Sequence, residues 1–294
     1  MKQNVQKSSR LTQRLLLTPY SVWAVLFIVV PLIFVAYYAF TDTNFNFTFD
    51  NIARFFTATS TVDDGAATRE VHTYLVIFGR SLKLAVISTA ICLLLGYPVA
   101  YFIAGCKPST QRFLQMLIML PMCMSFLLRT LAWVALLDDT GIINGVVTSL
   151  GLQPLPLIRT DGAVVLGMVY NYLPYMIMPL YTVLVKLDPR LTEAAEDLGC
   201  TPAQVFGQVT LPLSVPGIIS GFTMVFVPAV STFYISQKMG SAGTTLIGDV
   251  IESQFKAAYN PNLGAALSLV LMVMVLVCIA VMNRFSDEEE VATI

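Results

Sequence analysis

Apolar runs of membrane-spanning length alternate with short polar stretches along most of this chain. A helix rises about 1.5 Å per residue, so roughly 20 apolar residues cross the hydrocarbon layer of a bilayer. On that measure the runs at about 20–40, 82–104, 113–137, 163–184, 215–235 and 263–282 predict six transmembrane helices and an all-α integral membrane protein. The first run carries no charge from residue 15 to residue 41, too long for the core of a cleaved signal peptide.

The polar stretches set orientation and organisation. Residues 1–14 hold Lys2, Lys7, Arg10 and Arg14 with no acid, which predicts a cytoplasmic N-terminus, and six spans return the C-terminus to the same side. Residues 41–73 form a polar external segment. Gly96 and Pro98 in the second run suggest close packing and a kink. The stretch at 236–262 is external and contains a short amphipathic helix at about 245–255, with Asp249 and Glu252 on its polar face. Three parts follow: a tail, first span and external segment (1–78), a transmembrane domain (79–285), and an acidic, frayed tail (286–294).

The segment at 187–213 is the one polar, motif-rich stretch between two long apolar runs, and it reads as two short helices with a sharp bend. Asp188 caps the first, with Pro189 in its first turn, where a missing N–H costs nothing. Leu191, Ala194, Ala195 and Leu198 fall on one apolar stripe, which is expected to hold the two helices together. Gly199 suits the left-handed backbone of a helix end. Thr201 and Gln204 have the spacing of a capping box, and Pro212 is expected to end the second helix.

Composition narrows the function. The 294 residues are 56% hydrophobic and 12% charged, with mean hydropathy +0.74, against about 25% charged in a soluble domain. A net charge of −1 argues against a nucleic-acid partner. His72 stands alone, and Cys92, Cys106, Cys123, Cys200 and Cys278 lack metal-ligand spacing, so neither a metal centre nor a catalytic triad is expected. The phosphate-binding pattern G-x-x-x-x-G-K-[ST] is missing, so any ATP hydrolysis belongs to another chain.

Glu193, Ala194, Ala195, then Gly199, then Val209, Leu211 and Pro212 resemble the EAA loop of ABC importer permeases: Glu-Ala-Ala, three residues, glycine, nine residues, an aliphatic residue, one residue, Leu-Pro. The chain also resembles the permeases of spermidine/putrescine importers at LGYPVAYF (95–102), at Pro121 with Arg129, at YLPYMIMPLY (172–181), at FYIS (233–236) and at LIGDVI (246–251). This resemblance implies a type I importer fold in a bacterial plasma membrane. It also implies a second related permease, two copies of an ATPase carrying ATP and Mg, an external substrate-binding protein, and no cofactor on this chain. Other permeases of the class carry iron(III), sulfate, thiamine or phosphonate. Polyamine permeases of this kind tend to place an acid after Phe-Tyr-Val-Ser, where this chain has Gln237.

Candidates for the substrate path are the polar groups inside or beside the spans, since such groups are costly there without a role or partner. Tyr170, Tyr172 and Tyr175 offer aromatic faces for an ammonium group, or an interfacial belt. Asp249 and Glu252 offer carboxylates, or a solvated helix face. Arg129 is a gate partner for one of those acids, a helix tether, or a snorkelling side chain.

Overall fold

The computed structural model describes residues 18–42, 44–63, 68–241 and 243–292, so the basic stretch at 1–14 lies outside the described residues. The architecture is helical. In chain order, α1 is Thr18–Ala39, α2 Asp50–Thr57, β1 Thr59–Asp63, β2 Thr68–His72, α3 Thr73–Ala104, α4 Pro108–Met119, α5 Phe126–Leu137, α6 Ile142–Ser149, α7 Asp161–Leu184 and α8 Pro189–Asp197. Then come α9 at Pro202–Leu213, α10 at Val215–Val230, α11 at Tyr234–Met239, α12 at Ile247–Lys256 and α13 at Pro261–Ala292.

Four helices are long and apolar enough to cross a membrane, and six spans result if each of two bent pairs counts as one. The third predicted span is one of these pairs and is not a single helix. Its chain breaks after the 3-10 turn at Leu120–Cys123 and bends by 87°. Pro121 cannot extend an α-helical hydrogen-bond ladder, and Met124 is extended, so the apolar run conceals a stop. The fifth predicted span corresponds to α10, which ends at Val230, five residues short of the predicted bound, and meets α9 at a bend of 63°.

The polar segment after α1 contains an antiparallel hairpin, with Thr59 opposite His72 and Asp63 opposite Thr68. Thr59, Thr61, Val62, Thr68 and Val71 are β-branched and favour it. The C-terminal residues also depart from expectation, because α13 runs on to Ala292 instead of fraying. Three consecutive glutamates at 288–290 are good helix formers.

Two compact units are present, one of residues 1–58 with 253–273 and the other of 59–252 with 274–294. In the first, Ala39, Ala265 and Ala266 form a small core with Val35, Phe40, Ile52 and Leu269 around it. Asn262 and Asn51 both donate to the carbonyl of Thr41, at 2.6 and 2.9 Å. In the second, α3, α7 and α10 pack against one another around buried Cys92, Ala100, Met168, Met176, Leu180 and Val225. Small residues permit this approach. A Cβ on Gly96 would lie 3.1 Å from Met176 Cγ, and one on Gly221 would lie 2.7 Å from Met176 Sδ. Between helices in lipid, close contact of this kind supplies much of the cohesion.

Prolines shape several of the helices. A wide π turn at Val25–Val29 precedes Pro31, and another at Phe206–Thr210 precedes Pro212. In each case the carbonyl four residues before the proline lies inside the widened turn, which gives the ring room. Pro212 therefore does not end its helix as the sequence predicts. The helical backbone runs through it to Leu213, and the bend falls at Ser214.

Candidate coupling hairpin and substrate path

The hairpin of α8 and α9 is built as its sequence implies at both starts and at the bend. Arg190 N–H donates to Asp188 Oδ1 at 3.0 Å, capping α8. Thr201 N–H donates to Gln204 Oε1 at 2.8 Å, part of the capping box that starts α9. Gly199 between them has φ +87°, a region that glycine enters without the Cβ penalty other residues meet.

The apolar stripe of α8 behaves differently from the expectation. Leu198 is 87% exposed and Leu191 48%, so the stripe does not hold the two helices together. Leu191, Ala194 and Leu198 are turned outward beside Glu193. What fixes the hairpin is α9. Its Val205 and Thr210 are buried, and the Phe206 ring lies 5.6 Å from Tyr97 and 5.7 Å from Tyr101, edge to face. Tyr97 and Ser214 share a hydrogen bond of 2.9 Å. Val209 is half-buried, while Leu211 and Pro212 are exposed. The result is a root packed on α3 and an exposed apolar tip flanked by acids. Phe206 as anchor was invisible in the sequence, because nothing there brings it to α3.

The predicted path residues separate into different places. Asp249 and Glu252 come together with α11. Asp249 accepts from Ser236 Oγ at 2.9 Å and from Leu246 N–H at 2.8 Å, while Glu252 accepts from Gln237 Nε2 at 2.9 Å. Asp249 is 9% exposed, and burial pushes its carboxyl up to about 6, with Glu252 adding to the rise and the hydrogen bonds opposing it. Asp249 thus closes the first turn of α12. Gln237, the departure noted above, is the amide that holds Glu252.

Tyr172 is buried, and its hydroxyl donates to the Pro228 carbonyl at 3.3 Å. Tyr170 packs edge-on against Trp133 at 5.3 Å. Tyr175 is more open and lines a groove with Pro174, Met178 and Pro179. Arg129 is 6% exposed. Among the described residues its Nε and Nη1 are left without a partner inside the protein.

Helices long and apolar enough to cross a membrane, with an anchored hairpin between α7 and α10, are the framework of a membrane component. Residues 93–287 match the family described as "Binding-protein-dependent transport system inner membrane component", and the chain belongs to that family. It is 39% identical over 213 residues to the spermidine/putrescine transport system permease protein PotB of Haemophilus influenzae, covering 72% of this chain and 74% of that protein. The PotB of Salmonella typhimurium is 35% identical over 260 residues, 86% of each chain. Among solved structures, a bacterial ABC transporter that imports the acidic polysaccharide alginate superposes with TM-score 0.77 over 97% of this chain and 98% of that one, at 17% identity. That last likeness is one of fold.

Proposed function

We propose that this chain is the permease that carries spermidine and putrescine inward, working beside a second, related permease, two copies of an ATPase and an external substrate-binding protein. The observation that carries the reading is the 39% identity to a spermidine/putrescine permease across 72% of the chain. The hairpin docks on the ATPase, with Glu193, Ala194, Ala195 and Leu198 at the contact and Gly199 setting the angle. ATP and Mg bind that partner subunit. Both termini and the hairpin lie in the cytoplasm, which places Asp249 and Glu252 at the outer mouth. There a pair of carboxylates on one helix raises the local concentration of cations.

Competition tests the solute. In cells expressing the complete complex, excess spermidine or putrescine is expected to abolish uptake of labelled spermidine, while sulfate and ferric citrate leave it unchanged. Competition by the anions and not by the amines would overturn the polyamine reading and leave the importer class standing.

A further inference from the structure

The end of α3 is closed by a side chain from the next helix. The Ala104 carbonyl lies in the last turn, where carbonyls have no donor within the helix. A glycine in the left-handed region commonly turns the chain so that later N–H groups supply one. Gly105 follows α3 but has φ −78°, so it does not turn that way. Instead Gln111 Nε2, in α4, donates to the Ala104 carbonyl at 3.0 Å and to the Cys106 carbonyl at 2.9 Å.

The oxygen of the same amide is also engaged. Gln111 Oε1 accepts from the Tyr181 hydroxyl of α7 at 3.1 Å. One side chain therefore joins α3, α4 and α7 through three bonds. Glutamine suits this place because it carries donors and an acceptor on one planar group. A glutamate would set its oxygens against two carbonyls, and a methionine of similar length would offer no N–H.

Each joined segment leads to a working part. The last turns of α3 anchor α9, through Tyr97 and Tyr101 against Phe206. Tyr181 stands near the end of α7, ahead of Asp188, which caps α8. The α3 end and the start of α8 border one cleft, lined by Tyr101, Ala104, Leu184 and Asp188. From Gln111, α4 runs on to the break at Leu120–Cys123 and the 87° bend before α5. Gln111 is the point where both roots of the hairpin meet the broken span.

We propose that Gln111 is a positioning residue for coupled transport, making the ends of α3 and α7 and the start of α4 move as one block, so that displacement of the hairpin reaches the broken span. The inference rests on the reading of the hairpin as the ATPase contact. Without the amide the hairpin still moves with α3 and α7, while α4 follows less closely. ATP is then hydrolysed with less movement of the span that α4 begins.

The test counts ATP hydrolysed per spermidine imported by the complete complex, with its binding protein, in proteoliposomes. Gln111→Met keeps the side chain's length and helix propensity and removes all three bonds. Tyr181→Phe removes only the bond to α7 and leaves the closure of α3 in place. Both complexes are expected to be recovered intact. The ratio is expected to rise roughly fivefold or more in Gln111→Met, the low end of coupling between distant sites, and by a smaller factor in Tyr181→Phe. The KM for spermidine stays at the wild-type value while kcat for uptake falls. The double variant is expected to match Gln111→Met alone, because both changes remove the same bond. A wild-type ratio in either single variant, a double variant worse than Gln111→Met, or loss of the complex from both would overturn the role given to Gln111. The hairpin reading fails separately, since substitution at Gly199 tests it without touching Gln111. A wild-type complex that imports a different solute overturns the polyamine reading alone, and the ratio is then counted with that solute.

Discussion

A Gly199→Val permease is expected to assemble in the membrane and to lose transport. Gly199 sits at φ +87° with open space around it, so the obstacle is the backbone conformation and not a clash. A side chain in the left-handed region costs roughly 1–2 kcal/mol, and more when it is β-branched. The cheapest relief is to rotate α8 relative to α9. Because α9 is anchored through Val205, Phe206 and Thr210, the exposed α8 stripe must move instead, and that stripe carries the proposed ATPase contact. Uptake should drop by about tenfold or more if that strain is transferred to the contact, at normal protein level. Gly199→Asn should recover much of it, since asparagine enters the left-handed region more readily. Wild-type uptake by the valine variant would refute the role given to the bend.

The other large effect is expected at Gly248, in the first turn of α12. A Cβ there would lie 2.5 Å from the Thr232 carbonyl oxygen and 2.7 Å from that of Ser231. Both obstacles are backbone and cannot swing aside as the end of a methionine can. Overpacking of this kind costs about 1–3 kcal/mol. The Gly248→Ala strain therefore pushes α12 off the loop after α10 and opens the buried bond between Ser236 and Asp249. The purified complex is expected to unfold several degrees lower, at ~2–4 °C per kcal/mol for a chain of this size. Unchanged thermal stability would contradict the packing described between α12 and the loop after α10.

The helices were legible because the apolar runs are long, and the hairpin was legible because caps and glycine are local signals. Asp188, Gly199 and Thr201 act through residues one to three positions away, and each was placed as its neighbours dictate. The third span was misread because hydropathy averages over Pro121 and does not register a break. Pro212 was misread for the opposite reason: a proline normally stops a helix, yet a π turn upstream accommodated it. The stripe of α8 illustrates a limit of periodicity, which identifies an apolar face without saying whether its partner lies in the same chain. The path was the least legible part. Tyr170, Tyr172 and Tyr175 sit close in sequence but face Trp133, Pro228 and the groove respectively. The acids Asp249 and Glu252 proved to be held by hydrogen bonds from elsewhere in the chain.

The most direct test of the central claim is uptake by the complete complex in sealed liposomes, with the binding protein and labelled spermidine outside and ATP supplied to either face. Orientation is scored by reaction of Cys200, the residue beside the hairpin bend, with an impermeant thiol reagent. The account predicts that spermidine accumulates only when ATP is on the face where Cys200 reacts and the binding protein is on the opposite face. Accumulation with ATP and the binding protein on the same face, or no accumulation in any arrangement, would contradict it.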